Sequence, residues 1–299
     1  MLDILKKCEL CPRNCQVNRL EGQLGYCRSG SAVKIAKAYL HQWEEPCISG
    51  VRGSGTVFFS NCNLHCVFCQ NYKISQESYG RELTIEELGE IFLGLQAKGA
   101  HNINLVTPTH YVPQIIEAIK IAKRGGLNMP VLYNTNSYEN INTIKSLRGT
   151  VDVYLADLKY YKDDYAIKYS SVKDYFFHAA RAIDEMYRQA GKIEFSDDGM
   201  IRKGLIVRHL MLPGLLFDTK KVIDYIYNTY GDNVYISLMN QYTPMYKADK
   251  YPEIYKKLKP KHYESIIEYC LGLGIKNAFI QDSGTASEAF VPDFDLKGI

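Results

Sequence analysis

The 299-residue sequence predicts an α/β protein: a partial (β/α)6 barrel of parallel strands carrying a small cysteine-rich N-terminal module. Three observations predict it. From Thr56 onward, short apolar runs alternate with amphipathic stretches of helical length, and strands joined by such connections run parallel. Six of these runs precede a last one near 277–280, which suggests an incomplete barrel. Eight of the nine cysteines lie in the first 69 residues, within or just after a stretch that reads as irregular and is broken by glycine turns. The expected organisation is a metal-binding module over 1–50 and the barrel over 51–299.

The strands are expected at Thr56–Ser60, Asn102–Val106, Pro130–Tyr133, Val151–Ala156, Leu205–Leu210, Val234–Leu238 and Asn277–Ile280, where apolar runs are bounded by turn residues. Thr84 and Glu87 form a capping-box pattern, followed by an apolar stripe at Ile85, Leu88, Ile91, Phe92 and Leu95. Pro113 suits the first turn of a helix running to Lys123 and ending at Gly125-Gly126. Residues 163–190 read as helical and highly charged, and Asp218–Tyr230 and Lys261–Leu271 read as further helices.

Composition narrows the class. With 46% apolar and 23% charged residues the chain can bury a large core. It has no run of about 18 uncharged apolar residues, so a membrane span is not expected, and its start lacks the apolar run of a signal peptide. A cytoplasmic location is expected. The net charge of +3 and the lack of a basic block give nucleic-acid binding no electrostatic support. In a reducing compartment, crowded cysteines point to metal ligation rather than disulfides.

Chemistry concentrates in Asn61-Cys-Asn-Leu-His-Cys-Val-Phe-Cys-Gln70. Cys62, Cys66 and Cys69 have the spacing C-x3-C-x2-C and follow the first barrel strand, placing them at the rim where β/α barrels do chemistry. A three-cysteine zinc site and buried free thiols are the plain alternatives, but structural zinc takes four protein ligands. Three thiolates on a [4Fe–4S] cubane leave one iron open, able to hold a small molecule by its amino and carboxylate groups.

This spacing, with Phe68 just before the third cysteine, resembles the radical S-adenosylmethionine (SAM) superfamily. Cys8-Glu-Leu-Cys-Pro-Arg-Asn-Cys15, Asn18-Arg19, Gly22, Gly25-Tyr-Cys27, His41-Gln-Trp-Glu-Glu-Pro46, Gly53-Ser-Gly-Thr-Val-Phe-Phe59 and Gln70-Asn71 extend the match. Together they resemble the pyruvate formate-lyase activating enzyme-like group. The resemblance implies a radical SAM barrel with a [4Fe–4S] cluster on Cys62, Cys66 and Cys69. It implies reductive cleavage of SAM to methionine and a 5'-deoxyadenosyl radical, which takes hydrogen from a substrate while the protein positions the cofactor. The target would be a glycyl radical enzyme, a peptide or a small molecule, and the electron donor a flavodoxin or ferredoxin. A non-catalytic iron–sulfur or zinc protein is the rival class.

Further residues follow from the resemblance. Asp157-Leu-Lys159 matches the Asp-x-Lys that contacts SAM in glycyl-radical activating enzymes. Thr107-Pro108-Thr109-His110 stands where the superfamily has Gly-Gly-Glu, so Thr107 and Thr109 are the expected substitutes and His110 either faces substrate or is a solvated loop residue. Asn136, in Asn134-Thr-Asn-Ser137, is expected near the methionine moiety or closing the turn, and Arg208 either beside the SAM carboxylate through its bidentate fork or as a structural arginine filling the barrel mouth. Gln241 replaces a histidine found in activating enzymes.

Cys8, Cys11, Cys15 and Cys27 have the spacing C-x2-C-x3-C-x11-C and are expected to hold a second metal centre, for which zinc and an auxiliary iron–sulfur cluster both fit. Cys47 and Cys270 read as packing residues. Glu44-Glu45 before Pro46 reads as a cap or turn in preference to an acid/base pair, and Asp282-Ser-Gly284 as structural in preference to a substrate contact. No P-loop, nucleophile elbow or two-histidine zinc helix is present.

Overall fold

The computed structural model describes residues 2–281 and 292–299; the segment Asp282–Gly284 lies outside the described residues. Ten strands are found among them: β1 (Val33–His41), β2 (Ser54–Phe59), β3 (Arg81–Leu83), β4 (Ile103–Val106), β5 (Val131–Thr135), β6 (Val153–Asp157), β7 (Glu194–Phe195), β8 (Ile201–Leu210), β9 (Tyr235–Met239) and β10 (Ala278–Ile280). The sheet order is β10–β9–β8–β6–β5–β4–β2–β1–β3, with β7 pairing β8. Every pair from β2 to β10 along this order is parallel, and the two ends of the sheet are not joined to each other. This is the expected partial barrel.

β1 was not visible in the sequence. It pairs antiparallel with both β2 and β3, so the sheet runs past the boundary expected near residue 50. Its sequence, Val-Lys-Ile-Ala-Lys-Ala-Tyr-Leu-His, alternates imperfectly, and its neighbours are the cysteine-rich turns that masked it. The C-terminal tail then docks on β1. The Ala38 N–H donates to the Lys297 carbonyl at 3.0 Å, and Lys37 pairs with Asp295 at 3.0 Å.

The helices begin for local reasons. In Ile85–Ala97 the Thr84 hydroxyl accepts from the Glu87 N–H while the Glu87 side chain accepts from the Thr84 N–H, the complete capping box. Pro113 sits in the first turn of Val112–Arg124, where its missing N–H has no partner to lose. The charged stretch after β6 is two helices, Asp163–Ser170 and Tyr175–Ala190, divided at Ser171, which adopts φ +56°. Leu216–Tyr230 and Pro260–Gly272 complete the long helices. Among the described residues no helix is long and apolar enough to cross a membrane.

Strand periodicity sorts the core into two layers. Tyr133, Tyr154, Ala156, Leu205 and Val207 belong to the main core, with helical residues such as Ile115, Ile183 and Ile223. Their neighbours along the strands, Leu132, Val153, Leu155 and Ile206, form a separate cluster with Cys47 and Ile48 from the short helix Pro46–Ser49. That helix therefore fills the barrel interior from the start of the strands. Ile48 is fully buried there, worth about 1.5–3 kcal/mol of apolar burial. One step further along the same strand face come Asn134, Asp157 and Arg208, which face a cavity instead. Cys47 and Cys270 are both buried in apolar clusters, as packing residues.

Candidate active site

A cavity of about 300 Å³ opens above this apolar floor. Cys62, Cys66 and Cys69 line it together with Phe68, Thr107, Asn136, Asp157, Lys159 and Arg208. The loop after β2 thus delivers the triad to the rim, and Phe68 packs edge-on against Tyr242 at 5.8 Å.

A polar hydrogen donor stands beside each sulfur. Ser170 Oγ lies 3.0 Å from Cys66 Sγ and Ser75 Oγ lies 3.3 Å from Cys69 Sγ. Asn136 Nδ2 and the Leu64 N–H point at Cys62 Sγ from 3.5 and 3.4 Å. Burial pushes all three thiols up, Cys69 to about 11, so as free thiols they keep their protons near neutrality. Ligation to iron replaces those protons, and the surrounding donors suit sulfurs that carry negative charge. The residues therefore fit a three-thiolate cluster. Among the described residues no three His, Cys, Asp or Glu side chains stand close enough together to hold a single metal ion; ligands of a cubane bind separate irons and need no such convergence.

Asp157 ends β6, and Lys159 follows two residues later. Lys159 Nζ lies 2.7 Å from Asp157 Oδ2. Burial alone would lower the Lys159 ammonium, but the Asp157 carboxylate and the nearby Cys66 outweigh it and hold it above its ordinary value. The Tyr175 hydroxyl accepts from the Lys159 N–H at 3.0 Å, which fixes the turn.

Arg208 faces the cavity, but its guanidinium is already engaged. Nη1 donates to Glu44 Oε2 at 3.1 Å, and Nε pairs with Glu45 Oε1 at 3.4 Å. Glu44 Oε1 also accepts from Asn104 Nδ2 at 3.0 Å and from Asn134 Nδ2 at 3.4 Å. Burial works against the Arg208 charge, and Glu45 and Glu44 more than reverse that. The cap-or-turn reading of Glu44-Glu45 needs correcting. Glu45 does occupy the N-cap of Pro46–Ser49, but it makes no side-chain cap bond, and both carboxylates are buried against Arg208.

The loop after β4 separates its residues. Thr107 reaches the cavity with φ +58°, a strained conformation for a β-branched residue, and its N–H donates to the Asn134 carbonyl at 2.9 Å. Thr109 turns away: it is fully buried, and its hydroxyl donates to Glu139 Oε1 at 2.7 Å. His110 neither faces the cavity nor lies in solvent; it is 2% exposed, with Nε2 2.8 Å from the Ser60 carbonyl. The short 3-10 turn Thr109–Tyr111 causes both rotations. Glu139 had no sequence signal. It accepts from Thr109, Thr135 and Tyr133, and burial nonetheless pushes its carboxyl up to about 7. Gln241 lines the cavity, and its carbonyl accepts from Gln70 Nε2 at 3.2 Å.

The N-terminal segment is tied to the triad loop. Arg13 donates to the Asn63 carbonyl at 3.1 Å and the Ser171 carbonyl at 2.8 Å while its guanidinium lies 3.6 Å from the Tyr26 ring centre. Cys8, Cys11, Cys15 and Cys27 line a second cavity of about 20 Å³.

The family model of the Radical SAM superfamily matches residues 56–226, more than half of the chain. The chain belongs to the Radical SAM superfamily. An uncharacterised protein of Methanocaldococcus jannaschii, MJ0674, is 32% identical over 276 residues, covering 89% of this chain and 75% of that protein. A second from the same organism, MJ0808, is 26% identical over 176 residues, 53% of this chain and 51% of that protein. Among solved structures, anSMEcpe with bound AdoMet superposes with a TM-score of 0.52 at 14% identity, covering 74% of this chain and 60% of that one. The FeFe-hydrogenase maturase HydG from Carboxydothermus hydrogenoformans gives 0.51 at 12% identity, covering 79% and 56%. At these identities the two structures speak to the fold alone. Membership of the Radical SAM superfamily implies a [4Fe–4S] cluster and SAM, and radical chemistry.

Proposed function

We propose that this Radical SAM chain is an enzyme that holds its [4Fe–4S] cluster on Cys62, Cys66 and Cys69 and binds SAM in the 300 Å³ cavity beside them. When bound, cluster and SAM supply a one-electron carbon–sulfur cleavage and a hydrogen-abstracting radical, fed by an external donor such as a flavodoxin or ferredoxin. The chain's own residues do the rest. Ser170, Ser75 and Asn136 orient and hydrogen-bond the three sulfurs. The Asp157–Lys159 pair sets a carboxylate and an ammonium at the cavity wall, suited to the amino and carboxylate ends of a methionine moiety. Thr107 and Asn136 add hydroxyl and amide partners. Phe68, Tyr242 and the filled floor keep water from the reacting centre. The observation that carries this reading is the convergence of three hydrogen-bonded sulfurs on a cavity that also contains Asp157 and Lys159.

A small molecule or the end of a peptide suits this cavity better than a folded loop of a glycyl radical enzyme. His41, the last residue of β1, Trp43 just after it, and Pro292 of the tail line it. β1 and β3 extend the sheet beyond β2, so the flank by which a folded loop would enter already carries protein. Protein reconstituted anaerobically with iron and sulfide, then given dithionite and SAM, is expected to form 5'-deoxyadenosine. A full cluster with no such product would instead indicate an electron carrier. A carbon-centred doublet in spin resonance on a candidate glycyl partner would restore the activating-enzyme assignment.

A further inference from the structure

The four N-terminal cysteines take no part in the function proposed above. They come from irregular chain, yet Cys8, Cys11, Cys15 and Cys27 all line one cavity of about 20 Å³, room for roughly one water-sized atom. The packing around it is close: a Cβ on Gly25 would stand 2.9 Å from both Cβ and Sγ of Cys15. Only glycine lets the chain pass that thiol.

Two buried side chains from outside the cysteine set share the cavity. Arg19 is 1% exposed, with Nη1 3.9 Å from Cys8 Sγ and 2.7 Å from the His110 carbonyl. His110 also lines the cavity. Its Nε2 faces the Ser60 carbonyl, which can only accept, so Nε2 carries the hydrogen and Nδ1 is left with a bare lone pair. That Nδ1 is buried and has no hydrogen-bond partner. Leaving a buried acceptor orphaned is unfavourable, and an imidazole nitrogen among thiols is a donor set that soft divalent metals take.

We propose that Cys8, Cys11, Cys15 and Cys27 bind a thiophilic metal centre and that His110, from the barrel loop after β4, presents Nδ1 to it as a further ligand. Arg19 balances the negative charge that thiolate ligation brings. Among the described residues no three such side chains are yet gathered within reach of one ion, so binding draws the thiols inward, as metal does in small metal-folded segments. The narrow cavity favours a single ion such as zinc over a multi-iron cluster. Through its bond to Ser60, His110 also joins this centre to the backbone two residues before Cys62.

The test uses the full chain with Cys62, Cys66 and Cys69 all changed to Ala. It is loaded anaerobically with zinc alone and, separately, with ferrous iron plus sulfide. One zinc per chain retained through desalting, and lost in a further Cys8→Ser/Cys11→Ser variant, is the expected result. Failure to retain metal from either loading overturns the centre; iron and sulfide retained where zinc is refused overturns the single ion. With cobalt as the probe, His110→Gln should shift the ligand-field spectrum and weaken retention against a chelator by about 10-fold or more. An unchanged spectrum and retention remove His110 from the ligand set. If the cysteine variants fail to fold, wild-type protein with its cluster reconstituted answers the same question: zinc beyond the cluster's irons supports the centre, and none overturns it.

Discussion

Arg208, near the end of β8, donates to Glu44 at 3.1 Å across 164 residues of sequence. The guanidinium is the shared counter-charge for two carboxylates that are more deeply buried than itself. Arg208→Ala leaves both without that counter-charge, Glu44 keeping only its amide donors Asn104 and Asn134. Breaking a buried pair from one side costs about 3–5 kcal/mol, so denaturant unfolding of the variant should show a loss of that size. A loss below about 1 kcal/mol would mean that water already screens the pair.

The triad makes a sharper prediction. Cys66→Ala should lower cluster iron and abolish SAM cleavage while circular dichroism stays that of the parent. Ser170→Ala removes the hydroxyl 3.0 Å from Cys66 Sγ and keeps every cysteine. Outer-shell changes of this kind cost about 10–100-fold in metal affinity or activity, so SAM cleavage per cluster should fall by at least tenfold. An equal rate per cluster would place that hydroxyl outside the cluster's influence.

Asp157→Asn keeps the shape of the side chain and removes the charge paired with Lys159. A hydrogen bond to a charged group is worth about 1.5–3 kcal/mol, which corresponds to SAM binding weakened about 10- to 100-fold at unchanged iron content. Equilibrium dialysis with SAM measures this directly, and wild-type affinity in the variant would take the pair out of the SAM site.

Glu139 gives a pH dependence whose sign is fixed. Its carboxyl is raised from 4.5 to about 7 by burial, so the folded chain binds this proton more tightly than the unfolded chain does. The stability it contributes is complete below pH about 4.5 and is lost as pH rises through about 7. The span is worth roughly 3 kcal/mol at most. Glu139→Gln should flatten the thermal midpoint between pH 5 and 8, where the parent falls by several degrees. Parallel curves for the two proteins would refute the assignment.

Local signals made much of this molecule legible. The Thr84–Glu87 capping box, Pro113 and the apolar runs placed the ends of these helices and strands within four residues, because each depends on neighbours in sequence. Cys62, Cys66 and Cys69 were visible in their spacing after a strand, and Asp157 and Lys159 only through the family resemblance; all five line one cavity. What escaped depends on distant partners. Glu44 resembled a turn residue because nothing near it in sequence names Arg208. β1 was hidden beside cysteine-rich turns, and its pairing is set by β2 and β3. Thr109 and Glu139 lie 30 residues apart, on the segments that follow β4 and β5, joined by a hydrogen bond that no periodicity encodes.

The separation between Glu44 and Arg208 has a consequence for how the cell matures this protein. On the ribosome Cys62, Cys66 and Cys69 emerge together, whereas the wall built by β8 and β9 is synthesised well over a hundred residues later. Early in translation the thiols lie in the open, before the strands that later enclose them exist. Once β8 and β9 join the sheet, the same loop becomes one wall of a cavity, so the surroundings of the three sulfurs are complete only late in synthesis.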